Sequence, residues 1–249
     1  MKDKSISVVI PTCDRIILLK KAIKSLVKQT VRPDEVIIVN NGKKRLSRSN
    51  FSKSLNIKLY NLEPYLGPAI ARNFGYKKSF SNNVAFLDDD DAWSQNLIEE
   101  FYKNYNKIYS CYLFKSKTKL KNKKLIDYKN PKNRLYLKNL FLFNPGIGGS
   151  NIILNKLKIK KNFLFDKRIT PAEDKGLIID LLLNNKKIKF IEHCYVVYLR
   201  RKNKNSNNLS SPKNLLKNKI NFFLKYQNKM KLVTKIKFLL IYIKHYFRS

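Results

Sequence analysis

Apolar residues in the first hundred positions alternate between short unbroken runs and stripes of helical period. Ser5 to Pro11 is a Val/Ile-rich run closed by proline, which predicts a buried strand. After Thr12-Cys13-Asp14-Arg15, the residues Leu19, Ala22, Ile23, Leu26 and Val27 form one apolar helix face, with Asp14 placed to cap it. Pro33-Asp34 breaks that helix, and Glu35 to Val39 predicts a second strand ending in the turn signal Asn40-Asn41-Gly42. Strand, helix and strand in this order predict a right-handed crossover with parallel strands. Residues 43–55 are polar and basic, a predicted loop, and Ile57 to Leu62 predicts a third strand. Gly67-Pro68 opens a helix through Gly75. The apolar run Val84 to Leu87 then ends in Asp88-Asp89-Asp90-Asp91, and a helix is predicted over about Ser94 to Ile108 with Leu97, Ile98, Phe101 and Tyr105 inward.

The second half is less regular. Tyr109 to Tyr128 reads as a strand and a Lys-rich hairpin, and a helix follows from Lys132 to Phe143. Gly148-Gly149-Ser150-Asn151 leads into the strand Ile152 to Leu154; paired glycines serve either close backbone approach to a ligand or a simple turn. Thr170-Pro171-Ala172-Glu173 has the form of a capping box, Thr at N-cap, Pro first in the helix and Glu three after the cap. Leu177, Ile178, Leu181 and Leu182 continue that helix inward. Ile188 to Ile191 and Tyr195 to Leu199 predict two strands, and residues 200–211 a basic loop. Two basic amphipathic helices follow Pro212, with Leu215, Leu216, Ile220, Phe223 and Leu224 on the first and Leu232, Val233, Ile236, Leu239, Leu240 and Ile243 on the second. Interleaved lysines suit an interfacial membrane helix; packing on the sheet accounts for the same apolar faces.

Charge and cysteine usage narrow the setting. The 249 residues carry a formal net charge of +36, supplied mostly by Lys. Solvated, compositionally driven faces and a surface drawn to phosphates or anionic lipid both account for it. No helix-turn-helix, zinc finger or aromatic RNA-binding signature accompanies the charge, so no specific nucleic-acid partner is expected. Cys13, Cys111 and Cys194 lack zinc-site spacing and form no disulfide framework. With only His193 and His245 available, neither a His-based triad nor a His-rich metal site is expected. The early first strand and the absence of an apolar run of ~18 residues predict a cytoplasmic protein, peripheral on the inner face of the membrane if the last helix binds lipid.

The acidic run is the main chemical signal. A strand that delivers carboxylates at its C-terminal end puts them where open α/β sheets bind ligands. Hard oxygen donors suit Mg2+ or Mn2+ shared with substrate phosphates, while a solvated acidic turn is the plainer alternative. Glu173 is expected to serve the helix start, whereas Asp174 has no capping duty and lies where the helix dipole favours a carboxylate. An ionised carboxylate there suits a general base.

Taken in order, these pieces resemble family 2 glycosyltransferases with the GT-A fold. The segments concerned are Ser7-Val8-Val9-Ile10-Pro11-Thr12-Cys13-Asp14-Arg15, Ala71-Arg72-Asn73-Phe74-Gly75, Phe86-Leu87-Asp88-Asp89-Asp90-Asp91-Ala92-Trp93 and Glu173-Asp174. The resemblance implies an α/β/α sandwich with a mostly parallel central sheet, a nucleotide half over 1–110, an acceptor half over 111–211 and a helical tail over 212–249. It implies transfer, with inversion, from a nucleotide-diphosphate sugar to a glycan or lipid-linked acceptor. By it, Pro11, Thr12, Asp14, Asn40, Asn41, Arg72, Asp88 and Asp89 bind the nucleotide, and Asp88 and Asp90 hold Mn2+ or Mg2+. Asp174 is the base, with Gly148, Gly149 and Glu173 on the acceptor side. The family's "DDG" is replaced by Asn40-Asn41-Gly42, and because an amide both donates and accepts, uridine specificity does not follow from this stretch. A non-catalytic nucleotide-binding relative, a basic nucleic-acid binder and a membrane-surface protein are the competing functions.

Overall fold

A computed structural model of the chain describes residues 4–119, 124–128, 130–131, 135–159, 164–198 and 212–246. The apex of the Lys-rich hairpin, the predicted helix start at Lys132 and the basic stretch from Leu199 to Ser211 lie outside them, as do the side chains of Leu215 and Leu216.

The first half follows the predicted alternation. Strands β1 (Ile6–Thr12), β2 (Glu35–Asn40), β3 (Ile57–Asn61) and β4 (Asn83–Phe86) are joined through helices α1 (Ile16–Val27) and α2 (Pro68–Lys78). They pair in parallel in the order β3-β2-β1-β4. Beyond β4 the sheet becomes mixed: β8 (Ile152–Asn155) runs antiparallel between β4 and β6 (Cys111–Lys119). Strand β9 (Ile188–Tyr198) pairs in parallel with β6, and β5 (Asp91–Trp93) closes the far edge antiparallel to β9. Strand β7 (Leu125–Asp127) extends β6 as a hairpin arm.

Unbroken apolar strands bury both faces, because successive side chains point to opposite sides. Val8, Ile10, Val36 and Ile38 meet Leu19, Ala22, Ile23 and Leu26 of α1, together with Leu97, Ile98 and Phe101 of α3 (Leu97–Asn104). Val9, Ile37, Val39 and Phe86 face the other way, toward α2 and toward Leu177, Ile178 and Leu181 of α5 (Glu173–Leu183). The same layer takes in Leu140 and Phe141 of α4 (Leu137–Leu142), Phe222 and Tyr226 of α6 (Pro212–Tyr226) and Phe238 of α7 (Leu232–Tyr246). Helix α6 therefore belongs to the core, and α7 joins it through one side only.

Several local expectations are revised. Helix α3 stops at Asn104, because Tyr105 takes an extended backbone and stacks its ring 6.3 Å from that of Tyr112. The two strands predicted near 188–199 are one, with a register shift in which Phe114 pairs with Ile191 and the next residue, Lys115, with Tyr195. Exposed Glu192 and His193 sit in that bulge, which explains the polar gap in the pattern. The capping box at Thr170 does not form. The Thr170-Pro171 peptide is cis, the helix begins at Glu173, and its N-cap Ala172 offers no side-chain oxygen. Asp14 does not cap α1 either: it sits at φ 54, and its carboxylate accepts the backbone N–H groups of Lys43 and Lys44, each at 3.0 Å.

Candidate active site

The acidic turn lies between β4 and β5, beside the C-terminal ends of β1 and β2. Its four carboxylates have four environments. Asp89 is fully buried, accepts the Thr12 hydroxyl at 2.7 Å and forms a 2.5 Å ion pair with Arg15. Burial pushes its carboxyl up to about 6, with Arg15 and the Thr12 hydroxyl opposing. Asp91 accepts the Ser150 hydroxyl at 2.5 Å, and Ser150 in turn accepts the backbone N–H of Asp88 and, through its carbonyl, the indole N–H of Trp93. Asp88 and Asp90 are the two left open, with side chains 26% and 30% exposed. Asp88 spends Oδ1 on Arg72 and Asp90 spends Oδ2 on Arg15, and among the described residues Oδ2 of Asp88 and Oδ1 of Asp90 have no partner.

Arg72 joins this turn to the start of α5. Its buried guanidinium lies 2.7 Å from Asp88, 3.0 Å from Glu173 and 3.3 Å from Asp174. Phe165 covers it, the Arg72 Cζ standing 5.2 Å from the ring centroid. Asn73 fixes that ring by exchanging two hydrogen bonds with the Phe165 backbone, at 2.8 and 2.9 Å. Gly149 lies flat against the guanidinium: a Cβ there would come within 2.7 Å of Arg72 Nη2. Gly148 stands against Tyr198, where a Cβ would meet the hydroxyl at 2.6 Å. The paired glycines thus admit two protein side chains at close range.

A place at the helix start favours an ionised Asp174. Burial outweighs that, and the carboxyl moves up to about 8, with Glu173 and Asp88 adding to the rise and Arg72 and the Gly149 N–H opposing it. Glu173 has a structural partner, as expected, but in Arg72 rather than a helix cap. Arg72 stays charged because the three acids outweigh the cost of its burial.

On the nucleotide side, Pro11 and Thr12 end β1, and Asn41 follows β2 with its N–H on the Thr12 carbonyl. The Asn40 amide is committed within its turn, donating at 2.8 Å to the Lys44 carbonyl and to Asn61 Oδ1 and accepting from the Gly42 N–H. Asp14 borders the same corner, held below the usual carboxylate range by the Lys44 and Lys43 N–H groups. Arg15, Phe165 and Ser150 were not singled out from sequence. Arg15 stood inside the first motif, but its acid partners lie 74 and 75 positions away.

A parallel nucleotide-type half, an acidic turn at the strand ends and a second acidic pair on a facing helix define the GT-A class of fold. The sequence model "Glycosyl transferase family 2" matches residues 7–163, more than half of the chain, which therefore belongs to that family. An Escherichia coli protein named UDP-Glc:alpha-D-GlcNAc-diphosphoundecaprenol beta-1,3-glucosyltransferase WfgD is 26% identical over 189 residues, 74% of this chain and 72% of its own length. An uncharacterized glycosyltransferase of Rickettsia bellii is 36% identical over 115 residues, 44% of this chain but 17% of that longer protein. Among solved structures, Staphylococcus aureus TarS with UDP-GlcNAc superposes with a TM-score of 0.70 at 20% identity, over 98% of this chain and 73% of TarS. The mannosyltransferase PcManGT of Pyrobaculum calidifontis with GDP-Man and Mn2+ gives 0.65 at 14%, over 93% and 67%.

Proposed function

We propose that the chain transfers a sugar from a nucleotide diphosphate, UDP by the names of its relatives, to a hydroxyl of a glycan or lipid-linked acceptor, with inversion. The observation that carries this reading is Arg72, which brings the acidic turn and Asp174 to one place. Pro11, Thr12, Asp14, Asn41 and Arg72 line the donor side; with its amide spent inside the turn, Asn40 shapes the corner rather than reading the base.

Among the described residues no three His, Cys, Asp or Glu side chains gather into a ready metal cage. The free oxygens of Asp88 and Asp90 nevertheless fit a hard cation that takes its other ligands from phosphate and water. Mn2+ or Mg2+ held there would stabilise charge on the departing diphosphate. Asp89 is turned away and instead fixes the turn through Thr12 and Arg15. Asp174 takes the proton of the attacking hydroxyl, and Gly149 and Arg72 hold its carboxyl in place for that step.

Substitution separates the two roles. Asp174→Asn should lower kcat by about 10²–10⁴-fold with donor affinity retained. Asp90→Asn should remove the Mn2+ dependence of donor binding, read by thermal shift with a panel of nucleotide sugars. Wild-type turnover by Asp174→Asn would rule out the base.

A further inference from the structure

Two lysines line an apolar cleft near the start of α5, and among the described residues no carboxylate meets them. The cleft has a volume of about 290 Å³, and its walls include Phe141, Leu142, Phe222, Phe238 and Ile241. Lys175 enters from α5 and Lys219 from α6. Lys175 is 9% exposed, and its Nζ stands 4.2 Å from the Phe222 ring centroid. Among the described residues neither lysine forms an ion pair. Asp166 and Asp180, the acids facing α6, are taken by Arg168, Lys225 and the Tyr226 hydroxyl. Burial first, and then the charge of Lys219, together lower Lys175 to about 8. Ammonium groups placed in apolar surroundings are costly until an anion joins them.

A second groove of about 500 Å³ adjoins the first, sharing Leu142, Asn144, Lys219 and Ile241 with it. It runs to Gly148 and Tyr198. Gly148 precedes Gly149, whose N–H meets Asp174, so the groove that holds Lys219 at one end comes within one residue of the candidate base's partner at the other. Its Lys219 end reaches α7, the helix with an exposed apolar outer face.

We propose that this cleft binds the diphosphate and the first part of the apolar chain of a lipid-linked acceptor, an assignment that rests on the glycosyltransferase reading for the identity of that ligand. The ammonium groups of Lys175 and Lys219 take phosphate oxygens, and the Phe and Ile walls take the chain. A free phosphate would leave those walls unpartnered, and a neutral lipid would leave the lysines so. Only a ligand with both halves satisfies the cleft.

Isothermal titration of the full chain with farnesyl diphosphate, farnesol, pyrophosphate and short-chain phosphatidylglycerol tests this. Farnesyl diphosphate should bind at least about tenfold more tightly than the other three, and Lys175→Met/Lys219→Met should lose at least about tenfold of that affinity. Lys219→Met alone should lose a smaller part and Lys219→Arg should retain binding, a comparison that holds even if the buried position tolerates no change. Equal binding of farnesol, or affinity indifferent to the lysines, overturns the proposal. Equal binding of phosphatidylglycerol makes the cleft a membrane-lipid site and also overturns it. Sugar transfer is assayed separately. Lysine-dependent binding without transfer would bring down the enzymatic reading and leave the cleft standing; transfer with lysine-indifferent binding would do the reverse.

Discussion

Arg72 meets Asp88, Glu173 and Asp174 with one guanidinium, so its loss leaves three acids together without a counter-charge. Arg72→Met should cost about 3–5 kcal/mol of stability, measured by urea unfolding. Arg72→Lys should recover part of it, since a point charge cannot span three carboxylates as a planar fork does. Asp174 gives a kinetic signature at the same scale. Its carboxyl is raised to about 8 by burial and by neighbouring acids, so the basic form is scarce in acid. A base of this kind predicts kcat/KM rising with pH up to about 8 and then levelling. A profile flat from pH 6 to 9 would count against it. Arg72 and Asp174 were legible because each stands in a short motif. Asp89 and Arg15 were not sorted correctly, since the Thr12 and Arg15 contacts that bury Asp89 span 77 and 74 positions. Asn40 illustrates the same limit: its amide is claimed by Asn61 and Lys44, on a neighbouring strand and in the following loop.

The parallel strands of the first half were readable from period and composition; the antiparallel pairing beyond β4, the short strand β5 and the helix starts were not. Thr170-Pro171-Ala172-Glu173 satisfies the written form of a cap, yet the chain there first makes a tight turn over Lys167–Ile169, whose N-cap Asp166 accepts the Arg168 N–H. Asp166 also receives the Arg168 side chain and pairs with Lys225 of α6 at 3.2 Å. The Arg168 contacts, followed by Lys225, hold its carboxyl well below the usual carboxylate range. A group depressed on folding adds stability above its unfolded pKa, near 3.8, and that stability is lost as pH falls further. Asp166→Asn should therefore destabilise the protein at pH 6 and make its melting temperature less sensitive to acid below about pH 4. An unchanged acid limb in the variant would show that this cluster does not tie α6 to the domain.

At the scale of the molecule, charge and shape meet on α7. Leu232, Val233, Ile236, Leu239, Leu240 and Ile243 are between 45% and 72% exposed, on the side opposite Phe238, which is buried in the core. Lys235 and Lys237 flank this stripe on a chain of net charge +36. We propose that it lies on an anionic membrane surface, its lysines reaching past the apolar stripe to lipid phosphates. Ile236→Glu/Leu240→Glu should abolish flotation with phosphatidylglycerol vesicles while leaving the melting temperature unchanged, because neither side chain supports the core. Among the described residues no helix is long and apolar enough to cross a membrane.

The four acids also occupy a mechanical position. Three of them, with Leu87, link β4 in the middle of the sheet to β5 at its far edge, and β8, β6 and β9 lie between the two strands. Asp91 begins β5 and sits across from Tyr198. Asp88 stands three residues before Asp91, and Arg72 ties it to Glu173 and Asp174 at the start of α5. On the proposed function, donor grip at the turn and acceptor accommodation at α5 share this path, so an obligatory order of arrival is the expected outcome of product-inhibition kinetics.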